Sequence, residues 1–286
     1  HTAMVAALDE HGAPIVAFPP PSTLGSHLFR LILIHTLFPV LIPFIFILPA
    51  LIKRTFTWQD IAELLRTVDK AHADPIDKLP CNNNQDLSKK VWKLPSAKRY
   101  MNGALEYQIR EGYCSRATER CILKSFEEFP SNLVPAQKAG GSDPDKWRAS
   151  LEEMARENQA ENVPVIKIDV VRGDVSFEKF LETMHKVNDE KCRVAVNYLR
   201  PALVGFGRPK WMPAHLLLGL FGGHFSPIVG MLKNESDPND PLVAVFDVNH
   251  KYGGMYLVPA SRLHQSVKAL DVTTRQSRAI IVLEMP

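Results

Sequence analysis

Three short strings in this chain carry residue types that can make and break an acyl bond. The first is Gln108-Ile109-Arg110-Glu111-Gly112-Tyr113-Cys114, followed at once by the helical pattern of Ser115 to Arg120. A cysteine placed where a loop becomes a helix sits at the positive end of the helix dipole, among amides without helical partners. That environment favours thiolate over thiol. The same amides, with the side-chain amide of Gln108, can receive an oxyanion, and one such donor is worth about 10²- to 10³-fold in rate. In the second string, Gly222 to Pro227, glycines allow close backbone approach and His224 heads a strand. The third, Val245-Phe246-Asp247-Val248-Asn249, ends an apolar strand on an acid. An aspartate that accepts a hydrogen bond from an imidazole fixes its tautomer and supports the imidazolium.

Each string alone has a plainer reading. A lone cysteine is most often a small buried hydrophobe, and an acid after apolar residues is often a turn former. The order Cys114, His224, Asp247 points further, because the cysteine opens a helix and the other two end on adjacent strands. That is the arrangement of papain-like thiol enzymes, recognised by geometry and role rather than by spacing.

The elements that must position these residues are legible from periodicity. Thr57 can cap a helix through Ala71, with Trp58, Ile61, Leu64, Leu65 and Val68 on its apolar positions. Asp74 to Lys98 reads as loop, being polar, with three prolines and Asn82-Asn83-Asn84. A helix starts after Cys114 and must end before Pro130; Asp145 to Asn158 and Ser176 to Val187 read as helices, Val163 to Val171 and Arg193 to Leu199 as strands. Phe225 to Leu232, Leu242 to Val248, Tyr256 to Val258 and Arg278 to Glu284 follow as strands, with a helix from Ser261 to Leu270. Helices first and an antiparallel sheet second make an α+β fold.

Ahead of this domain lies an apolar run from Leu31 to Ile52 without a formal charge, bounded by Arg30 and by Lys53-Arg54. At about 1.5 Å per residue it is long enough, as a helix, for a bilayer core of about 30 Å, despite Pro39, Pro43 and Pro49. The sequence therefore divides into a flexible tail over 1–27, a membrane anchor over 28–54 and a catalytic domain over 55–286. Basic residues after the run and acidic ones before it place that domain in the cytosol. Net charge is +3 and no basic cluster interleaves with aromatics, so nucleic acid is not an expected partner. Cys81, Cys114, Cys121 and Cys192 form no CxxC pair and no zinc spacing, so the sequence calls for free thiols and no bound metal or cofactor.

At the three strings the chain resembles the phytochelatin synthase family, itself papain-like. Gln108, Cys114 and Ala117-Thr118 match the family's nucleophile string approximately, and Gly223 to Ile228 match its Gly-His-Phe-Ser-Pro-Ile string without change. Asp247-Val248 with Lys251-Tyr252 match its acid string, and Tyr198 and Arg200 its Tyr-x-Arg. The resemblance implies a Cys114–His224–Asp247 triad with Gln108 in the oxyanion hole. Glu111, Tyr198, Arg200, His250, Lys251 and Tyr252 are implied or possible substrate contacts. It also implies a glutathione-like γ-Glu-Cys-Gly donor that loses glycine and passes its acyl group to an amine or water. Heavy metal would enter as a thiolate complex of the substrate. Two departures bear on the substrate. His250 stands where the family has a donor-handling arginine, and an apolar insertion runs from Pro209 to Phe221. They motivate an alternative, an amide-forming transferase or amidase with a more hydrophobic substrate. A third reading is a non-catalytic scaffold on the same fold.

Overall fold

A computed structural model describes residues 8–10, 12–20, scattered positions between 21 and 56, and then 57–138, 143–157, 166–205, 223–252, 254–271 and 274–285. Its centre is a six-stranded sheet in the order β1-β8-β2-β3-β4-β5, with every neighbouring pair antiparallel. The strands are β1 (Lys167–Arg172), β2 (Cys192–Leu199), β3 (Gly223–Leu232), β4 (Leu242–Phe246), β5 (Met255–Pro259) and β8 (Ala279–Glu284); β6 (Leu270–Asp271) and β7 (Gln276–Ser277) form a separate small ribbon. The helices are α1 (Trp58–Ala73), α2 (Gln85–Trp92), α3 (Pro95–Lys98), α4 (Cys114–Ser125), α5 (Pro144–Glu157), α6 (Phe177–His185), α7 (Arg200–Val204) and α8 (Ala260–Lys268).

Helices cover both faces of the sheet, which is why its central strands read as continuous apolar runs. Val194, Val196, Ile280 and Val282 face Phe180 and Met184 of α6 and Leu263 and Val267 of α8. Their neighbours along the same strands, Ala195, Ile281 and Leu283, face Ile122 and Leu123 of α4 and Trp147 and Leu151 of α5. The period of two therefore splits one sheet between two cores. Fully burying one such side chain stabilises the fold by about 1.5–3 kcal/mol. Helix α4, which begins at Cys114, is thus fixed by its own apolar face.

Two sequence expectations change. The stretch from Asp74 to Lys98, expected as loop, holds α2, α3 and two short 3-10 turns. Its asparagines act as caps and clasps rather than as loop formers. The Asn84 side chain accepts from the amides of Asp86 and Leu87 at the start of α2, while Val91 and Trp92 bury its far end. Asn82 donates to the Leu257 carbonyl at 2.9 Å and accepts from the Leu257 amide at 2.6 Å, blunting the exposed edge of β5. In the segment expected as a loose tail, Ala13 and Val16 pack against the core and Phe18 stacks on Tyr107 with ring centroids 5.6 Å apart.

The spanning helix expected over residues 31–52 finds no support: among the described residues no helix is long and apolar enough to cross a membrane. Most of that run lies outside the described residues, as does the insertion from Pro209 to Phe221. The positions described within the run, among them Ile32, Leu41, Phe44 and Ile52, are exposed.

Candidate active site

Cys114 is the first residue of α4, and the N-cap residue Tyr113 makes no side-chain cap bond. The N-cap side chain therefore satisfies none of the first-turn amides. Gly112, at φ +84°, supplies the left-handed turn that brings the chain into the helix, a conformation costly for other residues. His224 sits at the start of β3 opposite Tyr198 of β2. At its predecessor Gly223 a Cβ would lie 2.5 Å from Nη1 of the buried Arg278, so a side chain there would require the guanidinium to shift. Asp247 follows β4 directly and is fully buried.

These three residues converge. His224 Nε2 lies 2.8 Å from Asp247 Oδ1, which leaves the other ring nitrogen for its hydrogen bond with the Cys114 side chain. Burial on its own would push the Cys114 thiol up. The charge and hydrogen bond of His224, the Phe225 amide and Arg200 outweigh it, and the thiol is held below its ordinary value. For His224, burial and Arg200 work against the cation, but Asp247 and Cys114 prevail and the imidazole is shifted up. The two shifts run toward each other, the direction that favours a thiolate–imidazolium pair. Asp247 is held below the usual carboxylate range although burial opposes it, through His224, Arg200 and the Asn249 amide.

A second network flanks the triad. Gln108 is buried and donates from Nε2 to Glu111 Oε2 at 3.2 Å. Glu111 also accepts from Asn249 Nδ2, at 3.2 and 3.3 Å, and from Lys251 Nζ at 3.1 Å. Asn249 in turn donates its backbone amide to Asp247 Oδ1 at 2.8 Å. Glu111 and Lys251, both read from sequence as substrate contacts, are here partners of each other. Burial raises the Glu111 carboxyl, yet Lys251 and Asn249 hold it below its ordinary value.

The remaining candidates are distributed unevenly. Tyr198 is fully buried, hydrogen-bonded to Ser226 and Tyr256 at 3.1 Å each, with its ring edge-on to His224. It supports the imidazole from behind rather than facing a substrate. Arg200 is turned onto Asp247. His250 lies edge-on to Tyr107 and Phe18, with centroids 6.0 Å away in each case. Tyr252 belongs to the 3-10 turn His250–Tyr252, and its side chain lies outside the described residues. Sequence reasoning missed Asn249 and also Gln137, which accepts from the Ile109 amide and donates to the Tyr107 carbonyl, holding the strand of chain that carries Gln108. Asn249 had a signal, an Asx turn two residues after the acid; Gln137 had none. Cys121 and Cys192 are buried, and burial pushes the Cys121 thiol up to about 12. Among the described residues no group of three or more His, Cys, Asp or Glu could hold a metal ion.

A cysteine at a helix head, an imidazole on a strand and a buried acid on the next strand are arranged as in papain-like thiol enzymes, on an α+β fold. The family model for phytochelatin synthase matches residues 82–280, and the chain belongs to that family. It is accordingly an enzyme, of a family whose general activity is glutathione-dependent transfer of γ-glutamylcysteine. A search of the curated proteins finds no match.

Proposed function

We propose that the chain transfers the γ-Glu-Cys unit of a glutathione-like donor through an acyl-enzyme on Cys114. The observation that carries this reading is the 2.8 Å bond from His224 Nε2 to a fully buried Asp247, which orients the ring toward Cys114. The Cys114 sulfur attacks the carbonyl carbon of the Cys–Gly amide, and the resulting oxyanion is met by the Cys114 amide and by Gln108. Gln108 spends one amide hydrogen on Glu111 and has a second for the oxyanion. Collapse breaks the C–N bond, His224 gives its proton to the departing glycine nitrogen, and a thioester remains on Cys114. A second amine, or water, then loses a proton to His224, attacks the thioester and releases the thiol. Heavy metal enters this scheme only as part of a thiolate substrate.

One observation favours the alternative, a more hydrophobic partner. His250, in the place of the family's donor-handling arginine, stands edge-on to the rings of Phe18 and Tyr107. Mass spectrometry of products after incubation with glutathione, with and without a cadmium or zinc salt, tests the main reading. Release of glycine with γ-Glu-Cys or longer oligomers supports it. An inert mixture, alongside turnover of an apolar amide, would favour the alternative. Ordinary, slow iodoacetamide labelling of Cys114 near neutral pH would favour the scaffold.

A further inference from the structure

We propose that Arg200 is a positioning residue of the triad, a fixed charge that holds Asp247 in place for His224, and not a substrate contact. The inference rests on the reading of Cys114 and His224 as the reacting pair. Arg200 Nη2 lies 3.0 Å from Asp247 Oδ1 and 3.1 Å from Oδ2, straddling the carboxylate. Oδ1 also takes His224 Nε2 and the Asn249 amide, both at 2.8 Å, so the carboxylate has no freedom to rotate away from the imidazole. The Arg200 side chain is only 12 % exposed and Asp247 not at all, so this pair meets in little water.

Burying an aspartate beside an imidazole alone creates a chemical ambiguity. A carboxylate with no other cation nearby costs several kcal/mol to desolvate, and it would hold the histidine permanently charged to offset that cost. A permanently charged histidine cannot accept the proton of the attacking amine. Arg200 removes the ambiguity because a guanidinium does not lose its proton in proteins. With it, Cys114, His224, Asp247 and Arg200 carry balanced charge in the ion-paired state, and the carboxylate stays ionised whichever form the imidazole takes. Arg200 opposes the imidazolium and favours the thiolate at the same time. The other ionisable groups that face this set are Tyr107, Tyr198 and Tyr256, all raised by burial and by the charge of Asp247, and Glu111, which feels Arg200 but is held chiefly by Lys251 and Asn249.

The test is the pH profile of iodoacetamide alkylation at Cys114, followed on its own peptide in the full chain, with glutathione kinetics in parallel. Arg200→Met removes a nearby positive charge. Both inflections of the profile should move upward by about one pH unit. Arg200→Lys should return them most of the way with the KM for glutathione unchanged, and Arg200→Gln, which keeps a donor but no charge, should behave like Arg200→Met. Unmoved inflections with a KM raised tenfold or more would overturn the inference and make Arg200 a substrate contact. Equal shifts in the lysine and glutamine variants would overturn it too, since charge would then be irrelevant. A wild-type profile showing only an ordinary thiol step is a different failure: it removes the catalytic reading of Cys114 itself.

Discussion

The backbone amide of Gln108 donates to the carbonyl of Val248 at 2.7 Å. Through this bond the segment leading to Cys114 is tied to the segment leaving Asp247. The two halves of the site, one on a helix and one on a sheet, are registered by main chain as well as by side chains. Site geometry of this kind tolerates loss of a reacting atom better than loss of a link.

Cys114→Ser should therefore fold normally and lose turnover by at least about 10³-fold, because the sulfur is partly buried at a helix head and the hydroxyl fits the same space. Circular dichroism and a glycine-release assay measure the two halves of that statement. Activity within tenfold of wild type would remove Cys114 as the nucleophile.

His224→Ala and Asp247→Asn should each cost several orders of magnitude, and the double variant little more than the worse single one, because the groups act as a unit. Losses that multiply in the double variant would mean the two residues act separately.

The pH dependence has a defined sign. Thiolate is lost as pH falls through the lowered Cys114 value, and the imidazolium is lost as pH rises through the raised His224 value. Transfer should peak between these limits, with the acid limb below where an unperturbed thiol would put it. A rate that climbs only in the ordinary thiol range would contradict the ion pair.

Glu111→Gln separates two roles for that carboxylate. If Glu111 anchors the Gln108 amide, kcat should fall about tenfold with KM little changed, since oxyanion donors act in the transition state. A rise in KM for the amine acceptor at constant kcat would instead show that Glu111 holds a substrate ammonium group.

Asn82→Ala should lower stability by about 1–3 kcal/mol, because it strips both partners from Leu257 at the edge of β5. Chemical denaturation reads this directly. An unchanged midpoint would show that water replaces the clasp at no cost.

How much of this was legible in the sequence follows from the range of each interaction. Cys114, His224 and Asp247 announce themselves through local patterns, a helix start, a glycine-flanked strand head and a strand end, and the strands β2, β3, β4 and β8 through apolar runs. The partner of Arg200 lies 47 residues away and that of Lys251 140 away, so only folding shows that each meets a charge of this chain. Helix α2 was hidden for a different reason. Its polar face made the stretch read as loop, and the cap that starts it, Asn84, belongs to a residue type equally at home in turns.

Phe18 stacks on Tyr107 and meets His250 edge-on, and because residues 21–56 join it to the rest of the chain it does so as an intramolecular ligand. A stack of two rings is worth about 0.5–1.5 kcal/mol, too weak to survive as an association between separate molecules, while a covalent tether supplies an effective concentration in the millimolar range. A single proteolytic cut between residues 21 and 56 would turn a unimolecular contact into a bimolecular one. The ring beside His250 would then stay only as far as the segment's own contacts, those of Ala13, Val16 and Phe18, hold it.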